Sequence, residues 1–316
     1  MRRGFRTRER FGLAGQWWRI RVESKIATPE TNDSWLVRNE FLIRRLHSLT
    51  GLVPVGAYMV VHLLTNSTVV DSPASFQRQV YLIHALGDFL PVIEWTLIFI
   101  PLLFHAIVGV VIVASGLPNT TAYPYESNIR YTLQRVTGMI AFVFIVWHVF
   151  HMHGWFHNEW WLDNVAEPLG GAQFRAYNAS STAAAALGSA LVMLLYAIGI
   201  LASVFHLANG IWTAGITWGL WLTPAAQGRA GIACWIFGVG LSVVGMTALI
   251  GMARVDQSEA VQIENDMLNA GLKSKLIPPN EHKMSRPHTV KKETKSPSDN
   301  GPLDKRTKPA EKTTSE

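Results

Sequence analysis

FLIRRLHSLTGLVPVGAYMVVHLL, residues 41–64, decides the fold. It opens on a basic pair, Arg44-Arg45, and then runs past His47 through small and apolar residues to one ionisable ring, His62. The pattern recurs in WTLIFIPLLFHAIVG (95–109) around His105, MIAFVFIVWHVF (139–150) around His148 and MLLYAIGILASVFHLANG (193–210) around His206. A bilayer's hydrocarbon, about 30 Å thick, needs about 20 apolar residues of helix. That window gives five spans, near 46–68, 92–115, 133–154, 186–211 and 230–252. The expected fold is all-α, an integral membrane bundle of five transmembrane helices with polar N- and C-terminal extensions. The first span lies too far from Met1, with no cleavage site directly after it, to be a signal peptide.

Composition divides the chain in the same way. Residues 1–45 hold 11 Lys+Arg and 5 Asp+Glu, and residues 254–316 hold 12 and 10. The 208 residues between hold five Arg, no Lys and seven acids. The expected organisation is a basic extension over 1–38, a five-helix membrane domain over 39–253 and a polar tail over 254–316. The tail starts with a short amphipathic stretch and becomes Lys-, Pro-, Ser- and Thr-rich, a composition that buries no core, so disorder is expected from about 278.

The Arg/Lys bias places the N-terminus in the cytoplasm. An odd number of spans then puts the C-terminus outside, and the 153–185 connection, with one Arg and three acids, suits an outer loop. The single cysteine, Cys234, excludes an internal disulfide, a four-cysteine cluster and a C-x-x-C-H haem attachment.

An ionisable ring at hydrocarbon depth is costly and faces a partner or a function. At 1.5 Å per residue, His62 lies about 24 Å and His148 about 23 Å from the inner side, on helices that run the same way. His105 and His206, on the returning helices, lie about 15 Å and 8 Å from it. The four sort into an outer pair, His62 with His148, and an inner pair, His105 with His206, about 12 Å apart in level. Two bis-imidazole b haems fit such a set, stacked across the membrane.

Small residues give a flat macrocycle room beside a helix, as they do for close helix contact. Helical counting reaches Gly51 and Ser48 from His62, Ala141 and Gly138 from His148, Gly199 and Gly210 from His206, and Gly109 from His105. Pro101, one turn before His105, is expected to kink the second span.

The words FLIRRLHSLTGLVPVG, VVHLL, IPLLFHAIVGVVI, LQRVTGMI, VWHVF and VFHLANGIW together resemble the five-helix, di-haem cytochrome b subunit of succinate dehydrogenases and fumarate reductases. The likeness covers about residues 39 to 252 and omits both extensions. It implies that His62, His105, His148 and His206 are the axial ligands, paired as their depths pair them. It also implies a membrane anchor for a flavoprotein subunit and an iron–sulfur subunit, passing electrons between that partner and membrane quinone, with no succinate chemistry on this chain. Two stacked haems suit menaquinone, although another quinone fits the same architecture. Both directions of the reaction, and a di-haem cytochrome of another dehydrogenase, remain alternatives. So does a haem-free anchor or transporter.

Other polar residues are placed against that role. Arg44, Arg45 and Ser48, beside His47, and Arg135, beside Gln134, sit at the inner ends of the first and third spans, where Arg suits haem propionates or lipid headgroups. His84, Asp88 and Glu94 lie at the outer edge of the second span, where a quinone site needs a proton relay. His151, His153 and His157 follow His148 but complete no closed four-ligand zinc pattern, and Trp155, Trp160 and Trp161 read as an interfacial belt. The 153–185 connection is long enough to fold partly over the outer haem or quinone pocket. Five Arg among the first ten residues, with Trp17-Trp18, suit an anionic membrane surface or a partner subunit better than nucleic acid.

Overall fold

The computed structural model describes residues 35–116, 120–156 and 158–274, together with 277, 283 and 284. Regular structure among these is entirely helical. The principal helices, in chain order, are α1 (Glu40–Val70), α2 (Pro73–His84), α3 (Gly87–Ala114), α4 (Glu126–His153), α5 (Ala179–Ala186), α6 (Ala190–Thr217), α7 (Pro224–Ala253) and α8 (Gln257–Lys273). Helices α1, α3, α4, α6 and α7 are long and apolar enough to cross a bilayer. The basic extension up to residue 34 and nearly all of the tail beyond 274, where disorder is expected, lie outside the described residues.

All five spans run well past their hydropathic limits at one end, α7 by starting at Pro224 rather than 230. Helix α1 begins at Glu40 rather than 46, α3 at Gly87 rather than 92, α4 at Glu126 rather than 133, and α6 ends at Thr217 rather than 211. Backbone hydrogen bonding continues through polar turns at the membrane surface, which an apolar window does not register. Helix α7 opens with Pro224 in its first turn and the Thr223 hydroxyl accepting from Ala226 N–H, a matched start signal.

Two prolines shape the bundle. Proline cannot donate to the helical ladder, and a widened π turn absorbs the missing bond. Such a turn surrounds Pro54 at Gly51–Gly56 in α1. The irregularity expected at Pro101 falls one turn earlier, at Glu94–Phe99, and Pro101 itself starts the resumed α-helix. The two widened turns pack together.

Helix α6 packs along both α4 and α7, and α1 lies against α7 and α3. Leu63, Val204, Leu207 and Leu241 form the apolar seam between α1, α6 and α7. Helix α3 is peripheral, with Leu103, Ile107 and Val111 more than half exposed. Those side chains face the hydrocarbon, which is why so apolar a helix needs so few protein contacts.

One end of the bundle carries a helical cap of α2, α5 and α8. Its centre is polar: Gln77, Asn178, Ser180, Ser181 and Glu264 are all buried. Glu264 of α8 accepts Ser180 N–H at 2.6 Å and Ser181 N–H at 3.1 Å, at the start of α5, and also binds the Ser181 hydroxyl. Gln77 of α2 donates to Ala176 O and accepts Ala179 N–H, each at 2.8 Å. The orphan amides of the α5 N-terminus are thus satisfied by two distant helices. Although composition divides the chain at 253, α8 folds back onto the cap. The 154–178 segment caps α4 in turn: Ala172, Gln173 and Phe174 donate to the last-turn carbonyls of Phe150, His151 and Met152. Gly154 takes the left-handed conformation (φ 74°) that ends the helix, where a side chain would strain the backbone.

Candidate functional site

The four spanning histidines meet in two pairs. His62 of α1 and His148 of α4 have ring centroids 6.0 Å apart at 75°. His105 of α3 and His206 of α6 are also 6.0 Å apart, at 84°. The first pair lies toward the capped end of the bundle and the second toward the open end. These are the pairs that depth predicts. Each ring is half-buried rather than buried, lining a seam between helices. A metal–imidazole bond is about 2.0–2.1 Å, and the bonding nitrogen lies about 1.1 Å from the ring centre, so two imidazoles on opposite sides of one ion have centroids about 6 Å apart. The donor set and spacing of both pairs fit a bis-histidine haem iron.

At the open end, backbone carbonyls hold the rings. His105 Nδ1 lies 2.9 Å from His47 O and His206 Nδ1 lies 3.0 Å from Gln134 O. Donation from Nδ1 fixes the tautomer that leaves Nε2 for a metal. The His47 ring stacks on His105 at 4.1 Å and 7°, with its Nδ1 buried and without a partner among the described residues. Gln134 also donates to His206 O at 3.1 Å and accepts from Asn209 Nδ2 at 2.8 Å, while Arg130 Nε donates to Asn209 Oδ1 at 3.0 Å. This chain ends in a guanidinium 3.7 Å from the centre of the Trp212 ring.

Glycines make the room. A Cβ on Gly51 would overlap the His105 ring, and one on Gly138 would stand 2.7 Å from His206 Cε1. A Cβ on Gly199 would overlap Phe144, which stacks on His148 at 5.6 Å. Gly109 faces His47, and Gly210 faces Gln134. The glycines that helical counting selects therefore lie against histidines or against the side chains that support them.

At the capped end, His148 Nδ1 lies 3.1 Å from the Tyr196 hydroxyl, which also lies 2.9 Å from His151 Nδ1. His62 Nε2 lies 3.1 Å from Asn66 Nδ2, one turn along the same helix. Trp155 and Trp161 stack on each other, as suits an aromatic belt. His151, weighed in the sequence only as part of an incomplete zinc pattern, is buried and directed inward to Tyr196. His157 lies outside the described residues.

The remaining candidates are placed as follows. Arg44 pairs with Glu40 one turn away at 2.7 Å, both side chains about half exposed, and Arg45 lies over Phe41 and Trp218. Ser48 is half-buried on α1. Arg135 Nη2 donates to Ile112 O and Val113 O, closing the C-terminus of α3, where a cation also complements the helix dipole. Glu94 is half-buried within electrostatic reach of the Tyr58 hydroxyl, and the Tyr58 ring lies 5.6 Å from His62. His84 accompanies Glu94 within reach of the Lys283 ammonium, and burial holds its imidazole below the usual range. Asp88 is exposed.

Sequence reasoning missed Arg130, Asn209, Tyr196, His151 and Tyr58 as parts of the site. Two signals pointed to some of them. Asn209 is an amide three residues past His206 in an apolar helix, and His151 stands three residues past His148, on the same helical face.

No family model and no solved structure matches the chain. The succinate dehydrogenase cytochrome b558 subunit of Bacillus subtilis (strain 168) is 34% identical over 210 residues, which span 66% of this chain and 96% of that protein. Five spanning helices and near-complete coverage of that relative lead to one conclusion: this chain belongs to the succinate dehydrogenase cytochrome b subunit family.

Proposed function

We propose that this chain is the di-haem membrane subunit of a succinate:quinone oxidoreductase. The observation that carries the proposal is the double pairing: two histidine pairs on four spanning helices, both with the separation that one metal ion requires. Bound there, two b haems supply one-electron carriers at two depths between an iron–sulfur subunit and membrane quinone.

His105 and His206 hold the haem at the open end, and His62 and His148 hold the one beneath the cap. The carbonyls of His47 and Gln134 orient the first pair, and Tyr196 orients His148. Arg44, Arg45 and Arg130 give the open end a cationic rim suited to propionates and to anionic lipid. The basic N-terminus assigns that end to the cytoplasm, where the chain anchors the iron–sulfur and flavoprotein subunits. The capped end then faces outward, with the C-terminus. Arg135 serves mainly as the cap of α3, and Ser48 lines the α1 face near His47.

The quinone edge is assigned to the capped end, where Tyr58 lies beside His62, Glu94 is within electrostatic reach of Tyr58, and Lys283 is within reach of both Glu94 and His84. A carboxyl, a phenol and a neutral imidazole there can deliver or accept the two protons that accompany quinone reduction or oxidation. Menaquinone is the quinone that the stacked pair suits best. Asp88, exposed on the rim, contributes charge only.

Single His→Ala substitutions in the complete complex test the assignment. Each of the four is expected to remove one haem and leave the paired level of the other intact. Retention of both haems in any of them overturns the ligand set. Copurification with a flavin-bearing subunit tests the partner; its absence favours another dehydrogenase.

A further inference from the structure

Tyr196 of α6 is 6% exposed and His151 of α4 is 7% exposed, deeper than any of the four proposed ligands. The Tyr196 oxygen bridges His148 Nδ1 and His151 Nδ1 at 3.1 and 2.9 Å. The Trp147 ring stacks on His151 at 4.9 Å and 10°, and Phe144 and Trp147 both pack edgewise on Tyr196. The three polar groups thus sit inside an aromatic box that fixes their orientations.

A phenol has one proton, so it can donate to only one of these nitrogens, and the other must donate to the phenol oxygen. A histidine that ligates through Nε2 carries its hydrogen on Nδ1. The order of bonds follows: His148 Nδ1–H donates to Tyr196 O, and Tyr196 O–H donates to His151 Nδ1. Aligned bonds of this kind polarise one another. An acceptor opposite the metal makes the ligand a stronger electron donor.

We propose that Tyr196 and His151 form a positioning pair for the haem at the capped end, holding His148 in its ligating tautomer and lowering that haem's potential. The proposal rests on the reading that His148 is an axial ligand. It also separates the two levels, because His105 and His206 meet plain backbone carbonyls instead.

The test is a redox titration, with low-spin ferric EPR spectra, of the complete complex carrying Tyr196→Phe, His151→Leu or His151→Asn. His62→Ala identifies which signal belongs to the capped end. Tyr196→Phe is expected to keep both haems and to raise the potential of the capped-end haem alone. His151→Leu is expected to shift it in the same direction by less, and His151→Asn, whose side-chain oxygen replaces the Nδ1 acceptor, to return it toward wild type. Unchanged potentials and spectra in Tyr196→Phe, or equal shifts of both haems, overturn the proposal. Should Tyr196→Phe fail to assemble, the two His151 variants decide: different capped-end potentials support the pair, and identical ones refute it. A wild-type complex without haem at this level fails before any of these substitutions, and then it is the ligand assignment that falls.

Discussion

Gly138→Ala is the most economical probe of the site. In an ordinary helix the change stabilises by up to about 1 kcal/mol, because glycine loses more backbone entropy than alanine. Here the new methyl would stand 2.7 Å from His206 Cε1 and 2.9 Å from Nδ1. Ordinary carbon contacts begin at about 3.5 Å, so the ring must retreat by about 0.8 Å. The 3.0 Å bond from His206 Nδ1 to Gln134 O, on the same neighbouring helix, then stretches out of range. Overpacking costs about 1–3 kcal/mol. That penalty falls on the ring position that metal binding needs, so haem affinity at the open end should drop by about 5- to 150-fold. Gly240→Ala is the control, since a Cβ there meets nothing within 4 Å. Haem retained per chain, measured by pyridine haemochrome across a dilution series, reads the difference. Equal retention in Gly138→Ala and Gly240→Ala would show that the glycine does not make room for the ring, and would refute the cradle.

Three further outcomes follow from the surrounding structure. Asn209→Leu strips the half-buried Gln134 Oε1 of its donor and Arg130 of its acceptor, costing about 1–3 kcal/mol over the two lost bonds; a lowered thermal midpoint, together with a changed open-end haem spectrum, checks it. Gln77→Leu leaves Ala179 N–H unpaired in the cap, with a similar cost, and should speed hydrogen exchange in α5 and α8 while leaving α6 protected. Burial pushes the Glu264 carboxyl above its ordinary value of 4.5, against four hydrogen bonds, from Ser180, Ser181 and Asn178, that favour the charged form. Its contribution to docking of the cap is therefore full below 4.5 and is lost as pH rises through the raised folded value. Hydrogen exchange of α5 should accelerate with pH beyond its intrinsic rate in wild type and lose that excess in Glu264→Gln, and an unchanged profile would contradict it.

The bundle and its two histidine levels are legible in sequence because a bilayer imposes simple arithmetic. A span needs a fixed apolar length, and the rise per residue converts position into depth. His62 and His148 therefore pair on paper as they do in space. Rotation about each helix axis is far less determined. Arg135 sits beside Gln134 in the chain, yet it turns to the carbonyls of α3 while Gln134 turns to His206. The cap is less legible still. The carboxylate that starts α5 is Glu264, some 80 residues further along and beyond the last span, and no local pattern announces that contact. Tyr196 reads as one more apolar-face aromatic until α4 brings two imidazoles to its hydroxyl.

Haem stoichiometry tests the central claim most directly. A reduced-minus-oxidised spectrum of the purified complex, with haem counted against this chain, should give a b-type band and two haems, resolved as two potentials in titration. No b-type band, or one haem per chain, would contradict the two-level account.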